Sequence, residues 1–305
     1  MIIKQSHQSY KSFDDFICKN IVCSFIGVYM KNLYRFELKR LLHSIGFWVA
    51  LCTGMIISII DIIFNGIPMS KYVVEPSEAL EYTLFSPIKV CENWMGATYY
   101  WNGKILLLML PLLATMPFAY TFYKDNVNGV YNSICTRISK KYYKRCKFVV
   151  TFLSGAFVTG FPFLFNYMAY LTLMPSINPE PGSVSDHLGT KSYFADIYYE
   201  HVNVYILVSI IMIALFGGAM AVTALYASFY VNKIYTVYVY PCLLYIGMIC
   251  LCDILGIQEW EPNIFLDSSI NYQRLVPFIV EFIIVMLVAI YEFFVSGRNK
   301  EGVGL

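Results

Sequence analysis

The stretch Leu275-Val-Pro-Phe-Ile-Val-Glu-Phe-Ile-Ile-Val-Met-Leu-Val-Ala-Ile-Tyr-Glu-Phe-Phe-Val295 decides the fold class. A bilayer-crossing helix needs about 20 mostly apolar residues in a row. A barrel strand instead alternates lipid-facing and lumen-facing residues over about ten positions, and no such alternation runs through Val276–Ile290. A helix also satisfies its own backbone hydrogen bonds inside hydrocarbon. Working outward, the same reading applies to residues 45–64, 105–123, 148–173, 204–230 and 235–255. With 275–295 these predict an all-α integral membrane protein of six spans.

The composition agrees. Of 305 residues, 58% are hydrophobic and only 14% charged, and the mean hydropathy is +0.58. Soluble domains carry roughly 25% charged residues, so this chain lacks the polar surface to cover a water-soluble particle. Its wealth of apolar and aromatic residues equally excludes disorder. The net charge of +2 matters less than where the charges fall.

Lys and Arg placement sets orientation. Residues 1–44 hold seven cations and residues 124–147 another seven; with Lys233, Arg298 and Lys300 these predict one strongly basic side. Only Lys71, Lys89, Lys104, Lys191 and Arg274 fall on the other. Both termini are therefore expected in the cytoplasm of a multi-pass protein of the cell membrane. Residues 1–29 lack a signal-peptide pattern and have Asp14 and Asp15 in mid-segment. They read as a cytoplasmic extension, or as an overrun of a start at Met30. Of nine cysteines only Cys91 falls in an outer loop, so no disulfide framework is expected there.

Two cytoplasmic segments carry the functional reading. Residues 30–44 read as an amphipathic interfacial helix. Tyr34, Leu38, Leu41, Leu42 and Ile45 share one face, while Lys31, Arg35 and Lys39 step by four along another. Such a helix lies at headgroup level with its cations toward lipid phosphates; the alternative is a plain continuation of the first span. The second segment is the loop 124–147. Asp125, Asn126 and Asn128 can cap a short helix, Gly129 permits a bend or close approach, and Val130 to Ile134 form an apolar run. Thr136-Arg137-Ile138-Ser139, Lys140-Lys141, Tyr142-Tyr143 and a membrane-edge Lys147 follow. The patch is pinned within a few residues of two spans, so no nucleic-acid partner is expected.

On these residues the chain resembles the permease subunits of ATP-binding-cassette exporters of the second type. Those proteins have six spans with both ends inside, an amphipathic connecting helix, and a coupling helix in the loop between spans two and three. The resemblance covers about 30–300, with a six-span permease domain at 45–296 and a cytoplasmic tail at 297–305. It departs from the family in its leading 29 residues and its long outer loop, 65–103. It implies that Asp125, Asn126, Gly129, Val130 and Ile134 meet an ATPase, that Arg137, Lys140, Lys141 and Lys147 form a basic membrane edge, and that Lys31, Arg35, Leu38, Lys39 and Leu42 seat the connecting helix. It further implies two separate ATPase subunits holding ATP and Mg, and a second permease copy or sister chain. The permease itself would bind no cofactor and catalyse nothing. The sequence agrees to the extent that its nearest Walker-like run, Gly96 to Lys104, has the wrong glycine spacing and Ile105 in place of Ser/Thr. The cargo would be an amphiphile, peptide, drug or lipid.

Ionisable residues within spans are functional candidates. Glu281 lies about 9 Å inside the last span and faces either a translocation path or a structural hydrogen-bond partner. Asp61 can pair with Lys104. Pro111, Pro117, Pro162 and Pro241 permit kinks. The stripe Gly217, Gly218, Ala221, Ala224 and Ser228 serves close packing within the subunit or a dimer contact. Trp94, Tyr99, Tyr100 and Trp101 read as interfacial anchors. The runner-up function is an ion-coupled secondary transporter using Glu281. An intramembrane enzyme is disfavoured, because all four histidines lie outside the spans and no His-Glu-x-x-His or Gly-x-Ser-x-Gly occurs.

Overall fold

The computed structural model describes residues 32–71, 88–97, 100–179, 195–230, 233–268 and 275–296; Tyr99, Lys31 and the expected segments 1–29 and 297–305 lie outside them. The described residues are helical, with no strand among them. In chain order the main helices are α1 (residues 32–42), α2 (Ile45–Ser70), α3 (Trp101–Leu108), α4 (Leu110–Thr115), α5 (Ala119–Val127), α6 (Val130–Cys135), α7 (Lys140–Leu173), α8 (Val202–Tyr230), α9 (Ile234–Leu255) and α10 (Leu275–Tyr291). Five of them, α2, α7, α8, α9 and α10, are long and apolar enough to cross a membrane.

The expected span at 105–123 is not one helix. Its residues are divided among α3, α4 and α5, with breaks at Met109 and at 116–118. Pro111 and Pro117 are the cause: proline has no N–H to donate, and its ring crowds the preceding turn. The break is supported from the α1–α2 junction, where Ser44 Oγ donates to the Pro117 carbonyl at 3.0 Å. Gly46 also lets the α2 backbone approach the Met116 carbonyl where a side chain would collide. Pro162 and Pro241, by contrast, stay inside continuous helices.

The axis of the molecule is α8 against α7. Within the apolar windows of the five long helices, 72% of α8 and 50% of α7 is buried, against 22–28% for the other three. A helix apolar all round belongs at the centre of a bundle, and α8 is that helix. Close approach requires small residues at the crossing. A Cβ on Gly155 would stand 2.5 Å from Ala221 Cβ, and one on Gly160 2.8 Å from Ala214 Cβ; Gly217 abuts Thr159 and Gly218 abuts Phe152. The small-residue stripe of α8 is therefore spent inside the subunit. Outside, α2, α9 and α10 expose Ile56, Ile63, Leu243, Ile254, Ile283 and Leu287, apolar surface suited to lipid.

The buried carboxylate of α2 is matched by neutral donors. Asp61, wholly buried about 24 Å along α2 from Ile45, accepts from Asn65 at 2.8 Å, Asn102 at 3.1 Å, Asn166 at 2.9 Å and Tyr170 at 3.0 Å. Lys104 is exposed and is not among these partners. Four neutral donors replace the expected cation, two on each carboxylate oxygen. Trp94 is no interfacial anchor either: it is buried, its ring 6.4 Å from Phe163 and 6.1 Å from Tyr167. Tyr100 and Trp101 remain exposed. Cys91 is buried, and burial pushes its thiol up to about 12, which leaves it unreactive.

Candidate functional site

The site grows from one awkward feature of α1. Its protein-facing stripe is Leu33, Glu37, Leu41 and then Ser44, so a carboxylate sits where the period demands an apolar residue. An uncompensated buried charge costs several kcal/mol, and Glu37 must therefore meet a cation. It meets Lys147 of α7, whose Nζ lies 2.9 Å from Glu37 Oε2; both side chains are fully buried. Lys147 also lies 2.9 Å from Asp125 Oδ2 and donates to Thr121 Oγ1 at 3.1 Å. Its ammonium lies 4.5 Å from the centre of the Phe118 ring, a cation–π arrangement.

Asp125 is the second anion. Arg40 grips it with both terminal nitrogens, Nη1 to Oδ2 at 3.0 Å and Nη2 to Oδ1 at 2.7 Å, the bidentate fork that makes such pairs strong and directional. Tyr143 adds a phenol hydrogen bond at 2.6 Å. Burial pulls the Asp125 carboxyl upward, but the Arg40 hydrogen bonds, the Lys147 charge and the Tyr143 hydroxyl outweigh it and hold the group below the usual carboxylate range. Two buried acids, buried Lys147 and half-buried Arg40 thus form a charge-balanced knot joining α1, α5 and α7.

Beyond the knot the chain turns outward. Asn126, Val127, Asn128 and Val130 are exposed, and Gly129 takes φ 70°. That left-handed conformation is disfavoured for residues with a Cβ. Nothing lies within 4 Å of where a Gly129 Cβ would stand, so the glycine serves the bend and not a close approach. Helix α6 follows and is held by Tyr131, whose ring lies 5.9 Å from Phe122 and 5.6 Å from Tyr143. Ile134 is half-buried beneath it.

The structure places the expected residues as follows. Asp125 is 2% exposed and held within the knot, and the surface beside it is Asn126 to Val130. Lys147 is buried at the centre of the knot, whereas Arg137, Lys140 and Lys141 are exposed. On α1, Leu38 and Leu42 face outward with Arg35 and Lys39, while Leu41 is buried. The single apolar face read from sequence splits in two: 33/37/41 faces the protein, and 38/42/45 faces away. Glu37, Arg40, Thr121 and Tyr143 were not marked as site residues by the sequence pattern. The available signal was Glu37 itself, four residues from both Leu33 and Leu41.

Glu281 stands apart, in the buried stripe Pro277, Phe278, Glu281, Val285 and Ala289 of α10. It is 8% exposed, and its Oε2 has no hydrogen-bond partner among the described residues. No group of three metal-ligating side chains occurs among the described residues. Compared with known proteins, the chain matches no protein-family model, no curated protein and no solved structure.

Proposed function

We propose that this chain is the permease subunit of an ATP-driven exporter in the cell membrane. In this reading the broken segment at 105–123 is the sixth span, both termini are cytoplasmic, and two separate ATPase subunits carry ATP and Mg. A second permease copy or sister chain completes the assembly, and the cargo is an amphiphile, peptide, drug or lipid. The observation that carries the reading is the exposed turn Asn126–Val130 fixed by buried Asp125 to α1 and α7. A load placed on that turn passes into a membrane-seated helix and a 34-residue helix at once. Nucleotide binding can shift a conformational equilibrium only through contacts that differ between its states, and such a turn is suited to transmit them.

The test is site-specific photo-crosslinking in native membranes. A crosslinking residue at Val130 is expected to capture a nucleotide-binding subunit with a Walker A loop, in an ATP-dependent way, while one at exposed Ile254 is not. Failure of Val130 to capture any such subunit, together with cargo export insensitive to vanadate, would remove the proposal.

Glu281 favours a second reading, an ion-coupled transporter. A buried carboxyl with an open oxygen is what proton coupling through a span requires. Under this reading, collapsing the proton gradient stops transport while ATP is intact, and Glu281→Gln does the same. Under the first reading, export continues when the proton gradient is collapsed.

A further inference from the structure

A cavity of about 480 Å³ opens between α8 and α10, lined by Tyr226, Leu287, Val288, Tyr291 and Glu292. Pockets of roughly 300–1,000 Å³ are the size that takes small organic ligands. The chemistry of the walls is specific. Leu287, Val288 and Tyr291 are largely exposed, giving an apolar, lipid-accessible side. On the other side Tyr240 donates to Glu292 Oε2 at 3.4 Å, and its ring lies 5.8 Å from that of Tyr226. A carboxylate beside tyrosine rings and aliphatic side chains has the chemistry to receive a cation, since ring faces attract desolvated positive charge. Among the described residues, the lining of this cavity includes no Lys or Arg.

The backbone points to the same spot. Residues Glu292–Ser296 form a π turn at the end of α10; such single-turn bulges are frequent at functional sites. The next residue, Phe293, is buried, its ring 5.3 Å from Phe122, and Phe122 packs on Tyr131 and Tyr143. The cavity therefore lies at the same end of the bundle as the Asp125 knot, one aromatic layer away.

We propose that this cavity binds a lipophilic organic monocation, with Glu292 as counter-charge and Tyr226 and Tyr291 as aromatic walls. Inorganic cations are not favoured, because the site offers one carboxylate and no ring of oxygen ligands. The assignment concerns binding by this chain alone and stands apart from the energy source proposed above.

The test uses full-length protein in lipid nanodiscs, without ATPase or nucleotide, with empty discs subtracted. Tetraphenylphosphonium and tetraphenylborate are alike in size and shape and opposite in charge. Saturable one-to-one binding of the cation and none of the anion is expected. Glu292→Gln should weaken cation binding at least tenfold, Glu292→Asp no more than about threefold, and Tyr226→Leu severalfold. Glu292→Gln keeps an acceptor for Tyr240, so its unfolding temperature should match wild type. Equal saturable binding of both ions, no saturable binding of the cation, or wild-type affinity in folded Glu292→Gln would each overturn the assignment.

Discussion

Arg40 and Asp125 are 85 positions apart in the chain and joined by two parallel hydrogen bonds of 3.0 and 2.7 Å. This fork, with Lys147 behind it, fixes the first helix to the loop that the functional reading concerns. The same arrangement makes Asp125 a weak choice for a direct contact and a strong one for a positioning residue.

Asp125→Ala leaves Arg40 and Lys147 sharing Glu37 alone. Breaking a buried pair from one side costs about 3–5 kcal/mol, because the remaining charge stays buried without its partner. The loss should appear in equilibrium unfolding in mixed detergent. Adding Arg40→Met should cost less than the sum of the single changes, since the two residues act as a unit. Simple additivity would show that the fork does not hold α1.

Acid should undo the same contact. The Asp125 carboxyl is held below its ordinary value in the folded protein, so the folded state binds its proton later than the unfolded chain does. Its contribution is complete above the unfolded value of about 3.9 and is lost as pH falls through the lower folded value. Asp125→Asn should therefore be less stable at neutral pH and show a flatter decline below about pH 4. An unchanged acid slope would assign the decline to other carboxyls.

Packing at the central crossing predicts a contrast between two glycines. Gly155→Val would push a branched side chain into Ala221 across the α7–α8 interface, at a cost of about 3 kcal/mol as overpacking goes. Gly247 of α9 has open space where its Cβ would be. Gly247→Ala should gain about 0.5–1 kcal/mol through helix propensity. Thermal unfolding of both variants checks this, and equal effects would contradict the crossing.

Gly129 makes a different demand, conformation without crowding. Gly129→Ala should cost about 1–2 kcal/mol for its left-handed φ, and Gly129→Asn clearly less. Amide exchange across 130–135 should speed up in the Ala variant. Unchanged protection would mean that the turn does not govern how firmly α6 is held.

Much of this protein could be read in advance. The long apolar runs foretold its helical character and helices long and apolar enough to cross a membrane, because backbone hydrogen bonds left open in hydrocarbon are too costly for any irregular course. The prolines were visible too, but not their different effects. Pro111 and Pro117 broke the helix at 105–123, while Pro162 and Pro241 sit within unbroken ones. Part of the difference lies in the local surroundings, where Ser44 and Gly46 support the break at 116–118 from a neighbouring helix.

The sequence by itself determined where charge was scarce and where it gathered: fourteen cations within residues 1–44 and 124–147. Periodicity could place Lys147 and Glu37 on helix faces, but not show that those faces meet. Only the tertiary structure decided that Arg40 and Lys147 turn inward to Asp125 and Glu37, while Arg137, Lys140 and Lys141 stay at the surface. The physical reason is range. Helical pattern is a local property, legible over a few residues, whereas a buried ion pair depends on two desolvated groups arriving within 3 Å from distant parts of the chain.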